Sequence, residues 1–96
     1  PLAIDAERRE LRAQLFALHQ ELVSARAAVA MLRDTVIPEA ANAVLLYEEA
    51  FAVGSSTLLE LVDAQSRLVA LRGEALAAAS RYHSMLAELS YLLGGR

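Results

Sequence analysis

Glu60 and Asp63, which lie one helical turn apart, are the residues of this sequence best placed to act on a ligand. Residues three apart share a face of a helix, so the two carboxylates lie together, and a role beyond helix stability is open. Their structural role is simpler, because acids in the first turns of a helix stabilise its dipole. Capping alone would account for Glu60. For Asp63, which lies one turn further on, both roles remain open.

No other group of residues predicts catalysis. The histidines lack the Glu-x-x-His spacing of di-iron bundles, since Phe16 precedes His19 and Ser80 precedes His83. The chain has no cysteine, no glycine-rich phosphate loop and no His-Glu-x-x-His motif. We therefore expect no enzymatic activity, no catalytic residue, no metal site and no cofactor, and we interpret both histidines as helix-surface residues.

The composition favours long helices. Of the 96 residues 56% are hydrophobic but only 5% are aromatic, which suits an all-α bundle or coiled coil better than a compact α/β core. The net charge of -3 argues against a nucleic-acid partner. Charged residues interrupt every long apolar run, and the chain does not begin with a signal-peptide pattern. These features predict neither a membrane span nor a leader within this sequence.

A short turn divides the chain into two arms. Gly54 can adopt the left-handed conformation that ends a helix, and Thr57 with Glu60 forms a Thr-x-x-Glu capping box that starts the next one. We therefore predict a single long antiparallel helical hairpin, with helix 1 over about 3–53, a tip at 54–56 and helix 2 over about 57–93. Gly94 and Gly95 are expected to end the second helix.

Each arm carries one apolar stripe with a heptad period, which is typical of a coiled coil. The first comprises Leu11, Leu15, Leu18, Leu22, Ala25, Val29, Leu32 and Val36, and the second comprises Leu61, Ala64, Leu68, Leu71, Ala75, Ala78, Tyr82, Met85, Leu89 and Leu92. Folding the arms at the tip places Leu71 opposite Ala40 and Tyr82 opposite Val29. Large residues then mostly face small ones, which supports a close approach of the helices.

Pro38 lies inside the first arm, where a proline removes one backbone hydrogen bond. One interpretation is a break after which a third helix begins. The stripe continues past the proline through Ala40, Ala43 or Val44, Tyr47 and Phe51, so we predict a kink in a continuing helix. The extra step of four residues is a stutter that would unwind the supercoil there.

A second apolar stripe runs beside the first on each arm. Its members are Val62, Val69, Leu76, Ala79, Leu86 and Leu93 on the second arm and Phe16, Val23, Ala27, Ala30, Ile37, Ala41 and Leu45 on the first. An isolated hairpin needs one apolar stripe, whereas a helix in a bundle or barrel has more neighbours and needs a wider one. The hairpin is therefore expected to pack against further helices and to self-associate.

A series of short motifs extends along the chain on both sides of the turn. They are Ile37-Pro38-Glu39-Ala40, Tyr47, Phe51, Val53-Gly54, Leu58-Leu59, Leu61-Val62-Asp63-Ala64-Gln65, Leu68, Tyr82-His83 and Ala87-Glu88-Leu89. With these motifs, essentially the whole chain resembles the C-terminal repeat of outer-membrane efflux proteins of the TolC type. The last two motifs are most similar to the heavy-metal branch, the outer-membrane partners of cation exporters.

The resemblance implies a trimeric channel with an outer-membrane β-barrel and a periplasmic α-barrel. This chain would be one hairpin of the periplasmic portion, and it would meet the membrane only through parts absent from it. The implied partners are the other hairpin of the same protein, the two other protomers, a periplasmic adaptor and, indirectly, an inner-membrane pump. The implied adaptor-binding tip comprises Val53, Gly54, Ser55, Ser56, Thr57 and Leu58, and the implied gate comprises Glu60 and Asp63. Phe51 replaces a tyrosine often found at that position in the family, which puts any gate hydrogen bond from that hydroxyl in doubt.

A free-standing structural coiled coil, acting as an interaction module, is the alternative function. It accounts for the heptad stripes and the turn but not for the second stripe or the tip motifs. An enzyme built on a helical bundle is a more distant third.

Overall fold

The computed structural model describes residues 2–94 and is all-α, as the sequence predicts. Three helical segments form its two arms: α1 at Leu2–Met31, α2 at Ile37–Ala52 and α3 at Leu58–Leu92. The first arm joins α1 and α2 through one π-helical turn, Leu32–Val36. The two arms pack side by side in a rod with extents of 77 × 22 × 18 Å. The chain is therefore a long helical hairpin.

Pro38 is accommodated by widening the helix. Proline has no N–H to donate to the carbonyl four residues earlier, and its ring crowds that carbonyl. The Ile37 N–H donates instead to the Leu32 carbonyl, five residues back, in the π-helical turn just before the proline. The first arm stays helical from Leu2 to Ala52, so no separate helix begins at Pro38. A π turn holds more residues than an α turn. This explains why the apolar stripe advances by four residues twice in succession between Leu32 and Ala40.

The interface between the arms consists of the two predicted stripes. Among residues 2–94, the buried side chains are Leu18, Leu22, Ala40, Val44, Leu61, Leu71 and Ala78, and no polar side chain is buried. Val29 and Tyr82, predicted to face each other, line one groove between the arms. Leu11 is exposed because α1 extends beyond the end of α3. Burial at about 25 cal/mol per Å² of apolar surface along this seam is the main force that holds the arms together.

The first arm also has one membrane-like property. One stretch of 18 residues in Leu2–Ala52 is long and apolar enough to cross a membrane by length and composition, with at most two charged residues. Charged residues such as Glu21 and Arg26 still interrupt this part of the arm, as the sequence predicts. The property is weak support for a membrane span, since core helices and signal sequences share it. In this fold Leu18 and Leu22 of the same arm pack against α3.

Candidate functional site

The end of α2 is closed by a Schellman motif centred on Gly54. Its φ of 80° lies in the left-handed region, which a glycine adopts without steric cost. The Ser55 N–H donates to the Ala50 carbonyl at 2.8 Å, and the Gly54 N–H donates to the Phe51 carbonyl at 3.1 Å. The Ser55 hydroxyl also donates to the Ala50 carbonyl, at 3.3 Å. These bonds fix the direction in which the chain leaves the first arm.

The start of α3 is closed by the capping box that the sequence predicts. Thr57 is the N-cap, and its Oγ1 accepts a hydrogen bond from the Glu60 N–H at 3.1 Å. In return, the Thr57 N–H donates to Glu60 Oε1 at 2.9 Å. Helix end and helix start are therefore each satisfied locally, and the tip needs no contact with another part of the chain.

Glu60 is the centre of the hydrogen bonds at the tip. The Thr57 backbone N–H, the Thr57 hydroxyl and the Ser56 hydroxyl all donate to its Oε1, and together they lower the pKa of the Glu60 carboxyl below its usual range. The charged Glu60 carboxylate therefore stabilises the turn through these hydrogen bonds. The contribution of Ser56 was not predicted, because its side chain reaches Glu60 only after the turn has formed.

Glu60 and Asp63 line one groove between the arms, directly below the tip. The floor of this groove is formed by Ala40, Ala43 and Ala64, and its rim by Tyr47, Glu60, Asp63 and Arg67. Both acids are exposed. The structure therefore brings the two predicted gate residues to the same groove, and it adds Tyr47 and Arg67, which the sequence analysis did not assign to a site. The signal for Arg67 is its spacing of four residues from Asp63 on α3.

The outer surface of the tip is apolar. Val53 is 79% exposed, Leu58 is 59% exposed and Leu59 is 69% exposed, and the two serines between them add hydroxyl groups. More than half of the surface of each of these three side chains is exposed to solvent. The predicted tip residues, together with Leu59, which that prediction did not include, thus form a rigid, partly apolar knob on which another protein could dock.

The two sides of the hairpin differ in chemistry, and we define each side by the residues that α3 contributes to it. We call the residues of the first apolar stripe on α3, from Leu61 to Leu92, its core positions. The acidic flank comprises the residues just before each core position: Glu60, Asp63, Arg67, Ala70, Glu74, Ala77, Arg81, Ser84, Glu88 and Tyr91. The apolar flank comprises the residues just after each core position: Val62, Gln65, Val69, Arg72, Leu76, Ala79, His83, Leu86, Ser90 and Leu93. The first arm also contributes charged residues to the grooves between the arms. Glu21 lines a groove along the acidic flank, and Arg26 and Arg33 line grooves along the apolar flank.

The histidines lie apart from any cluster of metal ligands. Across residues 2–94, no three His, Cys, Asp or Glu side chains come together in a way that could hold a metal ion. His83 packs near Tyr82, with ring centroids 5.7 Å apart. The predicted site residues lie in two adjacent places, the tip and the groove directly below it, and together they form one continuous region.

Comparison with known proteins yields no match: no family model, no curated protein and no solved structure is similar to this chain.

Proposed function

We propose that this chain is a periplasmic tunnel hairpin of a trimeric outer-membrane efflux channel, with a tip that docks the periplasmic adaptor of a tripartite pump. The observation that carries the proposal is the tip itself, which is rigidly capped on both sides and presents Val53, Leu58 and Leu59 to solvent. A turn that served only to connect two helices would gain nothing from three exposed apolar side chains.

The shape and surface of the hairpin agree with this proposal. A periplasmic tunnel needs helices long enough to form its wall, and α3 alone extends over about 50 Å at 1.5 Å per residue. A hairpin within such a wall has neighbours on both sides, which accounts for apolar side chains beside the core. The rod is 77 Å long and has exposed apolar side chains along one flank, which suits that position.

In the proposed channel, Glu60 and Asp63 contribute to a ring of acids near the closed end of the tunnel. Copies of these carboxylates around a narrow axis would repel one another and attract cations. Glu60 also holds the capping box, and its hydrogen bonds keep the carboxylate charged, so it contributes to this ring together with Asp63. Nothing in the sequence predicts nucleotide binding, so energy would come from the pump.

Photo-crosslinking in the complete protein tests the docking role. A photoreactive amino acid is placed at Val53 and, as the matched control, at Tyr91, which is also 79% exposed but lies at the far end of the rod. We expect the Val53 probe to give an adduct with a periplasmic adaptor protein, identified by mass spectrometry, and the Tyr91 probe to give none. Equal yields from both positions, or adducts with no adaptor, would contradict docking at the tip.

The alternative function is a free-standing structural coiled coil that acts as an interaction module. The buried seam between the arms favours it, because that seam forms within one chain and needs no channel to explain it. In that case the complete protein would form no pore, and neither crosslinking position would capture an adaptor.

A further inference from the structure

The apolar flank is a continuous uncovered surface. From Val62 to Leu93 it extends over about 45 Å along α3, and its exposed side chains include Val69 at 68% and Leu76 at 74%. On the first arm, the exposed Phe16 and Val23 lie in heptad register with Ile37, which lines a groove with Leu76. A patch of this length is larger than a monomeric protein usually exposes.

The charges on the apolar flank are of one sign. Two grooves on this side are lined by Arg26, Arg33 and Arg72, and neither of the two includes an acidic residue. Arg33 is paired with its neighbour Asp34 at 2.7 Å, whereas neither Arg26 nor Arg72 makes an ion pair among residues 2–94. The surface therefore suits a partner that offers acids beside small side chains.

The acidic flank of the same chain has those properties. Its acids outnumber its two arginines, and between them lie small residues, including Ala70, Ala77 and Ser84. The grooves on this side have floors of alanine, at Ala40, Ala43 and Ala64 near the tip and Ala17 towards the far end. Small residues leave holes that large side chains such as Leu76 can fill, as in knobs-into-holes packing.

We infer that the partner of the apolar flank is the acidic flank of a second copy of this chain. The contact joins two different surfaces, so it is heterologous, and each hairpin offers one flank to a neighbour on either side. Charge and side-chain size are both complementary in this arrangement. Contact between two apolar flanks would instead place arginine against arginine. The inference is made for this chain by itself and does not rest on the proposed efflux function.

Two variants at the same height of the hairpin separate the possible contacts. The first, Arg72→Glu with Leu76→Gln, disrupts the apolar flank. The second, Glu74→Arg with Ala77→Arg, disrupts the acidic flank. All four positions are exposed and lie away from the core, so the helical circular dichroism of both variants should match that of the unaltered chain. Ser66→Gln with Ser80→Gln, on the outer face of α3, is the control.

Sedimentation equilibrium of the variants, alone and mixed, is the test. We expect the unaltered chain and the control to exceed the monomer mass of 10.4 kDa increasingly with concentration. Each flank variant alone should remain monomeric, because either change removes one half of every contact. An equimolar mixture should recover a 1:1 dimer, since each variant keeps the flank that the other has lost.

Three results would overturn the inference. If the variant with the altered acidic flank still dimerised alone, the contact would join two apolar flanks. If the two variants failed to associate when mixed, the flanks would not recognise each other. If the unaltered chain stayed monomeric at every concentration, the apolar flank would have a partner other than a second copy.

Discussion

Replacing Gly54 by alanine should destabilise the hairpin, whereas replacing Gly73 by alanine should stabilise it. Gly54 has a φ of 80°, and a Cβ atom placed there would have nothing within 4 Å. The cost is therefore purely that of the left-handed backbone, about 1 kcal/mol for a residue other than glycine. Gly73 lies inside α3 with equally open space around it, so alanine should gain about 0.5 to 1 kcal/mol from better helix propensity.

The same substitution should therefore change the free energy of unfolding in opposite directions at the two glycines. The difference between the two variants is about 2 kcal/mol, which corresponds to roughly 8 to 16 °C in Tm for a domain of this size. Thermal and urea unfolding followed by circular dichroism at 222 nm measures it. All variants are compared at one chain concentration, because association also stabilises the fold.

A third variant identifies the origin of the effect. Asparagine tolerates the left-handed region better than alanine does, so Gly54→Asn should recover part of the stability that Gly54→Ala loses. If Gly54→Ala unfolded at the same temperature as the unaltered chain, or gained as much as Gly73→Ala, the left-handed turn would be refuted.

Three further predictions concern the cap, its titration and the register of the arms. Thr57→Ala should lower the free energy of unfolding by about 1 kcal/mol through loss of the capping box, while Ser66→Ala on the exposed face of α3 should not lower it; equal urea midpoints would contradict the role of the cap. Because the folded state lowers the pKa of Glu60, the stability that its charge contributes is present above the unfolded-state pKa and is lost as the pH falls through the lowered value. Glu60→Gln keeps a side chain that can complete the box but removes this titration, so its unfolding midpoint should depend less on acid pH than that of the unaltered chain; identical profiles would exclude Glu60 as the source. Ala40→Cys with Leu71→Cys, at two buried positions predicted to face each other, should form a disulfide within one chain under mild oxidation, and purely intermolecular products would contradict the register.

The fold could be predicted because its determinants are local. A heptad stripe on each arm, a glycine at a helix end and a Thr-x-x-Glu box each depend on residues a few positions apart. The all-α hairpin follows from these alone. The widened turn before Pro38 was harder to predict, since a stutter in the stripe is compatible with a kink, a break or a π turn.

The candidate site was predicted only in part. Glu60 and Asp63 share the groove below the tip, but that groove also includes Tyr47, which belongs to the other arm. Likewise, Arg26 and Arg33 join Arg72 on the apolar flank only once the arms are folded together. The sequence of one arm shows where its apolar residues lie. It does not show which charged residues of the other arm lie beside them in the folded hairpin.

Ion conduction by the complete protein in planar bilayers tests the proposed channel most directly, with Glu60→Gln and Asp63→Asn introduced singly and together. The proposal predicts pores in the unaltered protein, with conductance and block by divalent cations that change in the double variant. Each single variant should produce part of that change, because each removes one negative charge from the ring. Absence of pores, or unchanged conductance and block in the double variant, would contradict the account and leave these acids as helix-start residues.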